Sequence, residues 1–302
     1  MSTSTDDDII LCSNCGKGEE SAGDLKACTA CKMVKYCNRD CQIAHRKQHK
    51  KECKKRAAEL HDEALFKQPG GPPEDCPICM LPLPSLHTGS KYRACCGKTI
   101  CSGCIYAVKI RDGGVGLCPF CRTPTPTAKE MIEQNKKRME LGDAQAIYNM
   151  GCHYYNGRHG LPQDHTKALE LWRQAAELGN ATAYHNIGAA YDLGNGVGRD
   201  EKKAEYYYEL AAMKGDSMAR FNLGICERDE GNMDRALKHY MIAAGDGYNN
   251  SVKAVQHYLY KHGHATKDDY TKALLACQAY LEEVRSEQRD KATAFSDEFK
   301  CY

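Results

Sequence analysis

The sequence predicts small metal-stabilised α+β fingers followed by an all-α helical-repeat solenoid. Three observations carry that prediction. Fifteen of the 19 cysteines lie between Cys12 and Cys121. Breaks rich in Pro, Gly and Thr at 69–73 and 123–127 cut the chain into blocks. From about residue 128 onward Ala, Leu, Tyr and Gly recur at helical spacing, and strand-like alternation is absent.

Composition narrows the function classes. The chain has 302 residues, enough for two or three domains. Lys plus Arg number 42 and Asp plus Glu 40, a net charge of +2. That balance argues against a general nucleic-acid coat. Thiolates bound to zinc would turn the net charge negative and weaken such an attraction further. No apolar run approaches the ~18 residues of a membrane span. The start, Met1 to Asp8, shows no basic segment followed by an apolar one, so no secretory signal is expected. A cysteine-dense half without a signal reads as zinc sites rather than disulfides. The expected compartment is reducing: cytoplasm, nucleus or both.

The first block, residues 12–53, has the spacing C-x2-C-x12-C-x2-C-x5-C-x3-C-x7-H-x3-C. Its candidate ligands are Cys12, Cys15, Cys28, Cys31, Cys37, Cys41, His49 and Cys53. Eight ligands in four close pairs suit two tetrahedral zinc ions. His49 and Cys53, four apart, share a helix face. His45, one turn earlier, has the poorer spacing to Cys53. Counting alone leaves open which pairs share a metal.

This spacing, with Tyr36-Cys37 and Cys41-Gln42, resembles the MYND zinc finger. The resemblance implies interleaved pairs: Cys12, Cys15, Cys37 and Cys41 on one zinc, and Cys28, Cys31, His49 and Cys53 on the other. It also implies a module that binds short peptides, or a purely structural staple. The family usually has Trp five residues after Cys41, where this chain has Arg46. The basic run Arg46, Lys47, Lys50, Lys51, Lys54, Lys55 and Arg56 reads first as a solvated helix face. Residues 54–75 are expected to be a polar helix followed by a Pro/Gly linker.

The second block, residues 76–122, has the spacing C-x2-C-x15-C-C-x4-C-x2-C-x13-C-x2-C. Cys76-Pro-Ile-Cys79, Cys96-Gly-Lys-Thr-Ile-Cys101 and Leu117-Cys-Pro-Phe-Cys-Arg122 make it similar to a RING finger of the all-cysteine type. That resemblance implies a cross-brace, with Cys76, Cys79, Cys101 and Cys104 on one zinc and Cys95, Cys96, Cys118 and Cys121 on another. The total becomes four zinc ions. Lys98 stands where RING fingers usually have His, so Cys95 must supply the missing ligand.

The resemblance further implies a ubiquitin ligase without a covalent nucleophile. Such a protein positions a charged ubiquitin-conjugating enzyme. The implied contacts are Ile78 and Pro119 inside the two knuckles, and Arg122, whose planar guanidinium suits bridging. Val108, where active members often carry Trp, is a weaker contact. The alternative is a non-catalytic zinc-binding adaptor or scaffold.

The third block, residues 140–284, repeats with a period of about 36. Asn149-Met-Gly151, Asn186-Ile-Gly188 and Asn222-Leu-Gly224 align. So do Ala175-Ala176, Ala211-Ala212 and Ala243-Ala244, and the closing Gly179, Gly215 and Gly247. Each unit reads as two helices with a Gly cap. The pattern, with Gly194-Asn-Gly-Val197, Asp200 and Lys203-Ala204, resembles the Sel-1-like repeat, a cousin of the tetratricopeptide repeat. Repeats of this kind bind proteins on concave surfaces. Tyr154, Tyr191, Tyr206 and Tyr240 are candidates to line one, although periodic aromatics are core by default. Cys152, Cys226 and Cys277 read as small packing residues. A fourth unit from Asn249 reads as a cap, and residues 285–302 read as a charged tail. The repeats leave no room for the methyltransferase domain that sometimes accompanies a MYND finger. The expected partners are a conjugating enzyme and a substrate protein, with neither nucleic acid nor membrane.

Overall fold

The computed structural model describes residues 11–18, 25–67, 74–85 and 89–299. The Pro/Gly linker expected at 69–73 lies outside the described residues, as does Cys301. The chain divides into two compact units, residues 1–67 and 68–302.

In the first unit, β1 (Lys26–Ala27) pairs antiparallel with β2 (Lys35–Tyr36). Helix α1 (Arg39–Phe66) follows, opened by the Asn38 side chain accepting from the Cys41 N–H at 2.8 Å. That cap satisfies one of the helix's orphan donors. The polar helix expected after the finger is therefore the finger's own helix, continued. The core here is Cys12, Leu25, Cys28, Cys31 and Tyr36. Three of the five are thiols, so little of this core is hydrocarbon.

In the second unit, β3 (Ser90–Arg93) and β4 (Lys98–Cys101) form a hairpin with Tyr92 opposite Thr99. It runs into α2 (Ser102–Arg111). Helix α3 (Ala128–Glu140) begins at a Thr127/Glu130 capping box. Six 13-residue helices follow: α4 (Ala144–Asn156), α5 (His165–Glu177), α6 (Ala181–Leu193), α7 (Glu201–Met213), α8 (Ser217–Asp229) and α9 (Met233–Gly245). Asp143, Asp164, Asn180, Asp200 and Asp216 cap α4 to α8 with their side chains. Helices pair within each repeat through one recurring contact. A Cβ on Gly151 would lie 2.6 Å from Trp172, one on Gly188 2.8 Å from Tyr208, and one on Gly224 would run into Tyr240. The Ala-Ala pairs are all buried beside these contacts.

The fourth unit departs from the pattern. Helix α10 (Asn249–Ala254) continues as a π-helical turn over Val255–Tyr260, and α11 (Lys267–Glu283) packs back on α9. Tyr240 is fully buried, Tyr154 and Tyr191 are half-buried against the core, and Tyr206 is 55% exposed. Of the four tyrosines, only Tyr206 offers most of its surface to a partner. Burial raises the thiols of Cys152, Cys277 and Cys226, the last to about 12. They are poor nucleophiles at neutral pH. No helix among the described residues is long and apolar enough to cross a membrane.

The second unit is more interlocked than its sequence blocks suggest. Residues 287–295 form helix α12, and a short turn follows at Asp297–Phe299. These residues are not a loose charged tail: Arg289, Ala292 and Phe299 are buried against α2 and the second cysteine block. Phe295 and Phe299 both pack on the Tyr106 ring, the first tilted and the second edge-on. The second cysteine block is also no free-standing finger. Arg138 Nε donates to the Ala94 carbonyl at 3.1 Å, and Tyr92 Oη to Asp143 at 2.6 Å. The Ser85 N–H donates to Tyr280 Oη, and the Ser85 hydroxyl to the Asp246 carbonyl, both at 2.6 Å. The block is thus tied to α3 and the turn before α4 at one end of the repeat array, and to α11 and the turn after α9 at the other.

Candidate metal centres

Four C-x2-C knuckles share one backbone design. The N–H after the second cysteine donates to the carbonyl of the first: Gly16 to Cys12, Lys32 to Cys28, Met80 to Cys76 and Arg122 to Cys118, at 2.9 to 3.0 Å. All four donors have positive φ, +72°, +60°, +56° and +62°. That left-handed turn aims both sulfurs of the pair the same way. It costs a residue with a side chain about 1–2 kcal/mol, and only Gly16 escapes the cost.

Every candidate ligand falls in one of four groups. They are Cys12, Cys15, Cys37 and Cys41; Cys28, Cys31, His49 and Cys53; Cys76, Cys79, Cys101 and Cys104; and Cys95, Cys96, Cys118 and Cys121. In each group the ligand atoms lie within 4.8 Å of one another. Sulfur separations are 3.6 Å for Cys15–Cys37 and Cys37–Cys41, 3.7 Å for Cys28–Cys53, 3.8 Å for Cys79–Cys101, and 3.9 Å for Cys76–Cys104 and Cys96–Cys118. A tetrahedron with zinc–sulfur bonds of ~2.3 Å sets its sulfurs roughly 3.8 Å apart, whereas a disulfide needs ~2.05 Å. Cys95 lies 3.4 Å from Cys121, so the adjacent Cys95-Cys96 pair reaches a single centre. His49 Nε2 is 3.2 Å from Cys31 Sγ. His45 instead meets the Tyr36 hydroxyl at 3.0 Å through Nδ1 and stacks on His49.

The electrostatics also call for a cation. The Cys15 N–H leads in holding the Cys12 thiol down at about 6. Burial first, then neighbouring sulfurs, pushes Cys37 up to about 12 and Cys53 to about 11. Cys101 and Cys76, then burial, push Cys104 far up. Four crowded thiols cannot all ionise by themselves, and a divalent cation removes that penalty. Donor type, spacing and charge therefore fit zinc.

The implied contact residues divide. Ile78 is 41% exposed at the tip of its knuckle, beside the exposed Met80. Pro119 is half-buried in the last knuckle, and its neighbour Phe120 is 47% exposed. Arg122 is exposed and pairs with Asp112 at 3.1 Å. Burial opposes ionisation of Asp112, but Arg122 and Arg111 hold its carboxyl below the usual range. Val108 is buried on α2, so it is not available as a surface contact. Sequence reasoning missed Arg289, whose guanidinium lies 3.8 Å from Cys79 Sγ. In a charged stretch nothing marked it as the arginine that would be buried.

A groove of about 490 Å³ lies on the first unit beside the Cys28, Cys31, His49 and Cys53 group. One stripe of α1 lines it: Arg39, Gln42, Ile43, Arg46, Lys50 and Lys54. Ile43, also in its wall, is 58% exposed.

Comparison with known proteins agrees with two of the three blocks. The MYND finger model matches residues 12–53, and the Sel1 repeat model matches 144–180 and 181–216. The chain is 34% identical over 101 residues to the ERAD-associated E3 ubiquitin-protein ligase component HRD3B of Arabidopsis thaliana, covering 33% of this chain and 16% of that protein. It is 32% identical over 164 residues to the chitin synthase regulator SKT5 of Saccharomyces cerevisiae, covering 50% and 23%. The chain thus spans less than a quarter of either relative. A Sel1 repeat protein from Oxalobacter formigenes, solved as a crystal structure, is 27% identical over 64% of this chain and 72% of its own, with a TM-score of 0.45. Residues 12–53 are a MYND finger, and residues 144–216 are Sel1 repeats.

Proposed function

We propose that this chain is a protein-interaction adaptor, held in shape by four zinc ions, that takes an acidic peptide on its MYND finger. The observation that carries this reading is the α1 groove. Arg39, Arg46, Lys50 and Lys54 line it with no acidic residue among its walls. Arg46 replaces the family's usual Trp, which turns an aromatic surface into a cationic one. Exposed Ile43 between the cations suits a peptide with an apolar residue flanked by Asp or Glu. The groove offers no exposed aromatic platform on which bases could stack, which favours peptide over single-stranded nucleic acid. HRD3B and SKT5 are named as a component and a regulator, and that also supports an adaptor. A reducing compartment would keep the thiolates available for metal.

Fluorescence anisotropy with a labelled acidic, Leu-containing peptide tests the reading. Binding should weaken at least tenfold in Arg46→Glu and Lys50→Glu, and should fall with salt. Equal binding by both variants, or tighter binding of an oligonucleotide of equal charge, would overturn it.

One observation favours a second reading, in which the RING-like block docks a ubiquitin-conjugating enzyme. Ile78 and Phe120 present apolar side chains at the tips of two knuckles, with Arg122 also exposed. On this reading the chain speeds ubiquitin discharge from a charged conjugating enzyme by positioning alone. Ile78→Ala and Arg122→Ala should abolish that acceleration with zinc content unchanged. Discharge that survives both substitutions would sink the mechanism.

A further inference from the structure

Arg289 is 0% exposed, in a stretch of sequence rich in polar and charged residues. Its Nη1 donates to the Val284 carbonyl, which fixes the guanidinium against the end of α11. Its Nη2 points to Cys79 Sγ at 3.8 Å. Its Nε is buried without a hydrogen-bond partner in the protein. The neighbouring Gln288 places Oε1 3.7 Å from Cys104 Sγ. Helix α12 thus sends two consecutive side chains to two ligands of one centre.

The approach is close because α2 has glycine where α12 crosses it. A Cβ on Gly103 would lie 2.8 Å from Arg289 Cγ and 3.1 Å from both its Cα and its backbone N. Gly103 sits between ligands Cys101 and Cys104, so the crossing is centred on the metal group.

Charge explains why an arginine should be there. A zinc ion with four thiolates carries two net negative charges. Cys76, Cys101 and Cys104 are 0 to 2% exposed, so little water reaches this group. Its fourth ligand, Cys79, is half-buried, whereas two of the other groups contain an exposed cysteine, Cys15 and Cys121, that water can solvate more readily. Burying a doubly negative group is costly unless a cation or hydrogen-bond donors accompany it. Donors to thiolate sulfur also steady a metal centre from outside its ligand shell.

We propose that Arg289 is a positioning residue of the Cys76, Cys79, Cys101 and Cys104 centre, and that helix α12 is an integral part of that centre. The guanidinium donates to the Cys79 sulfur and offsets the centre's negative charge. Metal retention and docking of α12 are then coupled, and the coupling runs both ways. This inference rests on the zinc reading given above, but a separate measurement tests it.

The experiment uses the full chain. Native mass spectrometry counts zinc per molecule as a chelator is titrated, and alkylation mapped by peptide mass spectrometry identifies which cysteines open. The wild-type zinc count tests the zinc reading by itself. Arg289→Met should lose one zinc at a chelator concentration at least tenfold lower, with alkylation confined to Cys76, Cys79, Cys101 and Cys104. Arg285→Met, an exposed neighbour, should behave as wild type. Equal chelator resistance in Arg289→Met and wild type would overturn the proposal.

Arg289→Lys covers the case in which the Met variant fails to fold. It keeps the charge but lacks the planar fork. In the cobalt-substituted protein, loss of an N–H···S bond should shift the sulfur-to-cobalt charge-transfer band. An unchanged band in Arg289→Lys, with Arg289→Met unfolded, would reduce Arg289 to a packing residue and overturn the proposal.

Discussion

Gly224 shows how one atom can decide a repeat. An alanine there would gain about 1 kcal/mol of helix propensity. Its Cβ would also run into the fully buried Tyr240 ring. Overpacking of that kind costs about 1–3 kcal/mol, so the clash wins. Gly224→Ala should lower the melting temperature by several degrees, measured by thermal denaturation. Met80 presents the opposite case. It is 69% exposed at φ +56°, so Met80→Gly loses little packing and sheds the cost of a left-handed side chain. It should stabilise the zinc-loaded protein by about 1 kcal/mol, read from urea unfolding. His153 gives a pH signature. Burial first, then His159 and Arg158, brings its pKa down to about 4. A depressed histidine favours the native state above pH 6.5, and that contribution is lost as pH falls from 6.5 through 4. An NMR titration of the His153 ring should show a midpoint near 4, and a midpoint above 6 would contradict the packing described. At this scale the ligands were legible, because few residue types hold zinc and their spacing is constrained. Arg289 was not legible, because a buried cation and a solvated one are the same letter.

The knuckle is the element that recurs. Its C-x2-C spelling is easy to read, but three of its four left-handed residues are Lys, Met and Arg, which announce no turn. The grouping of pairs was likewise invisible to counting and came from resemblance. The reason is physical: cross-bracing is set by how the chain returns after a loop, not by spacing inside the pair. Cys95 tests the second centre of the second cysteine block. Its sulfur lies 3.4 Å from that of Cys121, next to Cys96 on the same chain turn. Cys95→Ser should remove one zinc ion, counted by native mass spectrometry, and leave the MYND finger's metal in place. The repeat helices were legible as elements because glycine, the alanine pair and the aromatic stay in phase. Helix α12 was not, because its apolar residues, such as Ala292 and Phe295, are spread among polar and charged ones, as is Phe299 in the turn that follows.

At the scale of the whole molecule, spacing in the text was a poor guide to independence. A Thr- and Pro-rich segment at 123–127 separates the second cysteine block from the repeats in sequence. Yet Tyr92, Ala94 and Ser85 tie that block to Asp143, Arg138, Tyr280 and Asp246. The sequence alone suggests that chelation would unfold 12–121 and spare the repeats. The contacts argue that removing metal from the second block also strips the array of its bracing. Chelator should therefore lower the melting temperature of the helical signal at 222 nm by several degrees. An unchanged helical melt, with all zinc removed, would show that those contacts carry little energy.

The crossing of α12 over α2 also has a consequence in time. Cys76 leaves the ribosome more than two hundred residues before Arg289. At 5–20 residues per second that gap is roughly 10–40 s. Through that interval the Cys76, Cys79, Cys101 and Cys104 thiols exist without the helix that covers them. A chain that stops short of α12 keeps them uncovered. Until α12 is made, those thiols stand open to oxidants and to competing metal ions.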